Sequence, residues 1–190
     1  IAEVLSRYGD IPSFKGWYLP HETGREELNI TELFQGLSAA CKDQSPDKKV
    51  MISPFFMGEG IFDRPLSPEA HFEEWNRILD SNKDLDICAF QDGTAPMSRM
   101  SEYYRQAAEL CRLHRLEHWV NVETFERDVR RQYYPIPFQD LQSKIAKHTE
   151  YAQKMITFEF SHFLSPNSIY PSAKNLFNRY VERYGSGEYR

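Results

Sequence analysis

The sequence predicts an α/β fold: a (β/α)8 TIM barrel, of which this chain supplies about the last five βα units. Three observations predict it. Apolar and aromatic runs that read as strands begin near residues 14, 49, 86, 118 and 154, roughly 32 to 37 residues apart, close to the ~31 per unit of a ~250-residue, eight-unit barrel. A helical pattern follows each run, and strict strand–helix alternation means a parallel sheet with right-handed crossovers. The Gly-rich phosphate loop of a nucleotide-binding sheet is absent, because Gly58 and Gly60 are too sparse and no helix follows them at once. The chain also opens inside a helical pattern, which implies that earlier strands lie upstream of Ile1. Residues 1–190 then read as a single, partial barrel domain.

Each element has its own signal. Ile1, Val4 and Leu5 share a helical face that Gly9 would end. Phe14 to Pro20 is the first strand. Asn29, with Glu32 three residues on, suggests a capping box for a helix carrying Leu33, Phe34, Leu37 and Ala40. Val50 to Phe56 is the second strand, with Pro54 marking its end. A Gly-containing loop, Met57 to Leu66, leads to Ser67-Pro68, an N-cap with proline at the first helical position, and a helix through Phe72, Trp75 and Leu79. Leu85 to Gln91 is the third strand and Asp92-Gly93 its turn. Helix Ser98–Leu113, strand His118–Phe125, a helix from Pro137 through Leu141, Ile145 and His148, strand Met155–Phe160 and helix Ala173–Tyr184 complete the order.

Composition narrows the function. At 41% hydrophobic and 27% charged, the chain has a globular balance. A net charge of −5 argues against a nucleic-acid partner, which needs a basic stripe; the one dense basic patch, Arg127 to Arg131, also contains Asp128. Cys41, Cys88 and Cys111 cannot close a disulfide framework and read as buried free thiols. No Cys/His spacing suggests a metal centre, no cofactor motif is present, and no apolar run approaches the ~20 residues of a membrane span. Oligomeric state is not encoded legibly.

Chemistry in a parallel barrel collects where strands end. The polar residues there are His21 and Glu22, Ser53, Gln91 and Asp92, Asn121 and Glu123, Glu159 and His162. The stretch Val120-Asn121-Val122-Glu123-Thr124-Phe125 is the strongest: a buried strand delivering a carboxylate to its C-terminal end. Alternation gives Asn121 and Glu123 one parity, Gly16, Tyr18 and Glu22 another matching set, and Thr157 and Glu159 a third. Carboxylates of inward parity are costly unless solvated or hydrogen-bonded, so they mark a cleft. If the five strands are the fourth to eighth of a barrel, Glu22 ends the fourth and Glu123 the seventh. Paired carboxylates across a cleft suit glycoside hydrolysis, one protonating the leaving oxygen while the other attacks the anomeric carbon or activates water. Glu22 and Glu123 are therefore the candidate catalytic residues. Trp17, Tyr18, His21, Gln91, Asp92, Asn121, Glu159 and His162 are candidate contacts to a carbohydrate substrate. Each has a blander reading: Asp92 as a turn residue, Glu159 as a satisfied buried carboxylate, and Trp17 and Trp119 as core.

Four segments carry a resemblance across nearly the whole chain: Gly16-Trp17-Tyr18-Leu19-Pro20-His21-Glu22, Ile52-Ser53-Pro54-Phe55-Phe56, Phe90-Gln91-Asp92-Gly93 and Trp119-Val120-Asn121-Val122-Glu123-Thr124-Phe125. Together they resemble a bacterial family of glycosidase-like TIM barrels classed as a domain of unknown function. That resemblance implies a (β/α)8 barrel whose first strands precede Ile1, and a setting in the periplasm or outside the cell. It extends more distantly to retaining glycosidases with the acid/base on strand four and the nucleophile on strand seven, which would make Glu22 acid/base and Glu123 nucleophile. That clan usually has Asn before the strand-four Glu, whereas this chain has His21. Two other functions compete: a non-catalytic carbohydrate-binding barrel, and a metal-assisted hydrolase using His21, Glu22, Asp92 and Glu159.

Overall fold

The computed structural model describes residues 1–58, 64–128, 130 and 132–185. The interior of the Met57–Leu66 loop, Gly60 included, and part of the Arg127–Arg131 patch lie outside them. Five parallel strands form one sheet in the order β1 (Gly16–Leu19), β2 (Lys49–Ile52), β3 (Ile87–Gln91), β4 (Glu117–Glu123) and β7 (Lys154–Phe158). Helices α1 (Ala2–Tyr8), α2 (Ile30–Gln44), α3 (Pro68–Asp80), α4 (Met100–His114), α5 (Phe138–His148) and α7 (Pro171–Tyr184) alternate with them. The short helix α6 (Phe160–Phe163) follows β7 directly. Consecutive strands are neighbours, so the sheet is a half-barrel with all C-terminal ends on one side.

Register shows which side chains share a face. Trp17, Val50, Ile52, Cys88, Phe90, Val120 and Val122 face the helices and belong to the apolar core or pack on it. Their alternates, Tyr18, Met51, Ala89, Gln91, Asn121 and Glu123, face the barrel interior. On the helix side Phe56 stacks on Phe90 with centroids 5.1 Å apart, and Trp75 meets Phe90 edge-on at 5.2 Å. His71 sits in the same cluster, where burial pushes its pKa down to about 3 and keeps the ring neutral. At the far end of the interior, Lys49 pairs with Glu117, and Lys154 lies 4.1 Å from the Trp119 ring centroid.

Several local expectations change. Ser67 caps α3 as anticipated, accepting from the Ala70 N–H at 3.2 Å. Asn29 does not form a capping box: its φ is 57°, and its side chain makes no cap hydrogen bond. Strand two stops at Ile52, with Phe55 joined to Gln91 by an isolated bridge. Between β4 and α5 lies an unanticipated antiparallel hairpin, β5 (Phe125–Arg127) and β6 (Tyr133–Pro135). Strands of three residues are too short to carry a period that a sequence pattern can register.

Candidate active site

A cleft of about 1120 Å³ opens at the C-terminal ends of the strands. Glu22 and Glu123 both line it, together with Gln91, Gly93 and Lys144, and the hairpin residues Phe125 and Tyr133 form part of its wall. Phe158, whose register partner is Glu123, is also in the wall and 51% exposed; Tyr133 is 40% exposed. Aromatic faces open to solvent beside carboxylates suit a sugar ring, which presents a C–H face and a rim of hydroxyls.

Glu22 is an exposed side chain on an anchored loop. Thr23 is buried, donates from Oγ1 to the Arg25 carbonyl at 2.8 Å, and its carbonyl accepts the Phe55 N–H at 3.1 Å. Trp75 Nε1 donates to the Gly24 carbonyl at 3.1 Å, which ties the loop to α3. The Tyr18 hydroxyl donates to Glu22 Oε1 at 3.2 Å. Partial burial and then the Glu22 charge push the Tyr18 pKa up to about 12, so the phenol stays a donor.

Glu123 is held from several sides. Its main-chain N–H donates to Asp92 Oδ1 at 3.0 Å, and its carbonyl accepts from Lys144 Nζ at 2.9 Å. Burial, followed by the Asp92 charge, raises its carboxyl pKa to about 7. Lys144 and the Gly93 backbone N–H act the other way, and the charge on Glu22 adds a smaller upward push. Gly93 lies so close that a Cβ there would come within 1.7 Å of Glu123 Oε2. Gly93→Ala is therefore expected to displace that carboxyl and lower any activity on the order of 10²-fold, the cost of a ~1 Å misplacement. The check is steady-state kinetics alongside circular dichroism to show that the fold persists.

Beneath the carboxylates runs a polar layer. Ser53 Oγ donates to the Ala89 carbonyl at 2.8 Å and accepts from Asn121 Nδ2 at 3.1 Å, while Gln91 Nε2 donates to the Ser53 carbonyl at 2.7 Å. These bonds cross β2, β3 and β4 and fix the strand ends relative to one another.

The remaining candidates are placed differently. Trp17 is on the helix side and donates from Nε1 to Ser45 Oγ at 2.8 Å, away from the strand C-terminal ends, so it is packing and not a sugar platform. Asp92 is 0% exposed and its carboxylate is taken up by Tyr104, Lys144 and the Glu123 N–H, so it sits beneath the cleft and not on its surface. His21 is exposed and does not line the cleft. Glu159 lies one residue beyond β7, where it caps α6 by accepting the His162 N–H at 3.1 Å and also pairs with the His162 ring. Phe158 is the register partner of Glu123 and takes the interior position beside it, whereas Glu159 shares parity with Thr157, the partner of helix-facing Val122. Glu22, Asp92 and Glu159 thus have separate environments, and among the described residues no three potential metal ligands come together. No helix of the described residues is long and apolar enough to cross a membrane.

Sequence reasoning missed Lys144 and the aromatic wall of Phe125, Tyr133 and Phe158. On an amphipathic helix a lysine reads as solvated, and only its spacing of three from Leu141 and four from His148, both buried, hints that it faces inward.

The parallel half-barrel defines the class as a glycosidase-like (β/α)8 fold. The chain belongs to the DUF4434 family, a domain of unknown function, which it matches over residues 1–170. It is similar to the crystal structure of a putative alpha-L-fucosidase from Bacteroides thetaiotaomicron, with a TM-score of 0.89 and 34% identity. That match covers 95% of this chain and 59% of the other, so the chain spans well under two thirds of that neighbour. A family 18 chitinase from Crocus vernus shares the fold at a TM-score of 0.55 and 11% identity, over 95% of this chain and 72% of the chitinase. No curated protein matches the sequence.

Proposed function

We propose that the protein is a glycoside hydrolase in which Glu22 and Glu123 are the reacting carboxyls. The observation that carries this reading is that two carboxylates from separate βα units line one cleft in contrasting environments. Glu123, half-buried beside Asp92, is the one that retains a proton near neutrality, whereas Glu22 is exposed. Environments that separate two carboxyls in this way divide the roles of acid and base. Glu123 gives its proton to the glycosidic oxygen as the bond to the anomeric carbon breaks. The Glu22 carboxylate attacks that carbon or takes a proton from the attacking water. This reverses the roles that the distant resemblance implies, because a nucleophile must be ionised and burial opposes that at Glu123.

The pH profile tests the assignment. With Glu123 as proton donor, kcat/KM of the full-length protein is expected to fall as pH rises through about 7. A rate that climbs through the same range would make Glu123 the nucleophile instead. The substrate panel should include α-L-fucosides and chitin oligosaccharides, the sugars that the two neighbours' names suggest. If Glu22→Gln and Glu123→Gln both match wild type on every glycan cleaved, the reading fails. Glycan binding that survives with no cleavage at all would favour a carbohydrate-binding barrel, for which the exposed Phe158 and Tyr133 suffice.

A further inference from the structure

We infer that Lys144 and Asp92 form a positioning pair for Glu123, a cation and an anion buried behind the cleft that hold this residue's main chain and set the charge its carboxyl meets. The inference rests on the reading of Glu123 as a reacting group. Asp92 Oδ1 accepts both the Lys144 ammonium at 2.8 Å and the Glu123 N–H at 3.0 Å. Lys144 Nζ returns to the Glu123 carbonyl at 2.9 Å, closing a loop of three hydrogen bonds around the main chain of one residue. Tyr104 Oη donates to the other Asp92 oxygen at 2.8 Å, so the aspartate cannot swing away.

Strand pairing does not require this arrangement. A strand-end N–H and C=O can be satisfied by water or by a neighbouring strand, whereas a buried ammonium and carboxylate each carry a desolvation cost that apolar residues would avoid. Lys144 lies on the buried stripe of α5, between Leu141 and His148. The pair brings two opposed charges to the Glu123 carboxyl, Asp92 favouring its protonated form and Lys144 its ionised form. The other titratable groups around this point are Glu22 across the cleft, Tyr104 from α4 and His148 from α5, with Glu126, Arg127 and Asp140 lining the same cleft. Burial keeps the His148 ring neutral and the Tyr104 phenol protonated, so neither supplies a compensating charge near neutrality.

The test is a carboxyl-¹³C NMR titration of the full-length protein, with the Glu123 resonance identified by its loss in Glu123→Gln. No substrate is needed, so the result is independent of whether a glycan is cleaved. In Lys144→Met the Glu123 midpoint should rise above its wild-type position by about one pH unit, a tenfold change in proton affinity. Lys144→Arg should restore it. In Asp92→Asn, which preserves shape and one of the two acceptor oxygens while removing the charge, the midpoint should fall. An unmoved Glu123 midpoint in a folded Lys144→Met protein would overturn the inference and leave the pair as a stability element. If Lys144→Met does not fold, Asp92→Asn decides alone: a downward shift supports the pair, and no shift overturns it. Correct titration shifts in a protein that cleaves no glycan would instead refute the hydrolase reading and leave the pair standing.

Discussion

Glu123→Gln is expected to lower kcat on the best glycan substrate by about 10²–10⁴-fold, the usual contribution of a positioned proton donor. The substitution keeps the shape and hydrogen bonding of the side chain but removes the proton that titrates. Its effect on stability should have the opposite sign. Glu123 has an ordinary pKa of 4.5 and is raised to about 7 in the fold, so between these values the folded state holds a proton that the unfolded chain has released. Stability from this group is fully present below about 4.5 and is lost as pH rises through about 7. A neutral glutamine has no such loss. The variant should therefore melt at a higher temperature than wild type at pH 8 and show no corresponding gain at pH 4, which thermal denaturation at the two pH values checks. An inactive enzyme that gains stability only where the wild-type carboxyl is ionised would separate a functional residue from a structural one.

Asp92→Ala is expected to cost about 3–5 kcal/mol of folding stability, the range for breaking a buried pair from one side. Removing the carboxylate strands the buried Lys144 ammonium, the Tyr104 hydroxyl and the Glu123 N–H in one step. Urea denaturation should show the midpoint shift with an unchanged slope. Asp92→Asn keeps an acceptor oxygen for Lys144 and the Glu123 N–H and offers its amide N–H to the Tyr104 hydroxyl, which can accept, so it should cost clearly less. Equal losses in the two variants would mean that packing alone, and not the charge on Asp92, is what the position needs.

Glu123 was legible because strand ends leave a strong trace, whereas Glu22 lies on the loop three residues beyond β1. A run such as Val120 to Phe125 has few ways to fold, and period-two alternation puts Asn121 and Glu123 on one side whatever else happens. The same reasoning ran past the end of β7. Thr157 and Glu159 share parity, but Thr157 is the partner of helix-facing Val122, so the interior position falls to Phe158, and Glu159 turns to cap α6 beyond the strand. Trp17 shows the limit of residue type as a guide: an indole near a strand end can serve a sugar or a core, and only register with Val50 puts it among the helices.

By itself the sequence determined the order of the five strands, their parallel arrangement, the cleft side of the sheet and the place of Glu123 at a strand end. Those follow from short-range periodicity and from the handedness of βα crossovers, both local in the chain. Only the tertiary structure decided what surrounds each carboxylate. Asp92 and Glu123 lie 31 residues apart, and Asp92 and Lys144 lie 52 apart. No spacing rule links such positions, yet burial and the Asp92 charge raise the Glu123 pKa, Lys144 opposes them, and both contacts fix its main chain. The hairpin wall was also decided there, because β5 and β6 are too short to assert themselves until they pair.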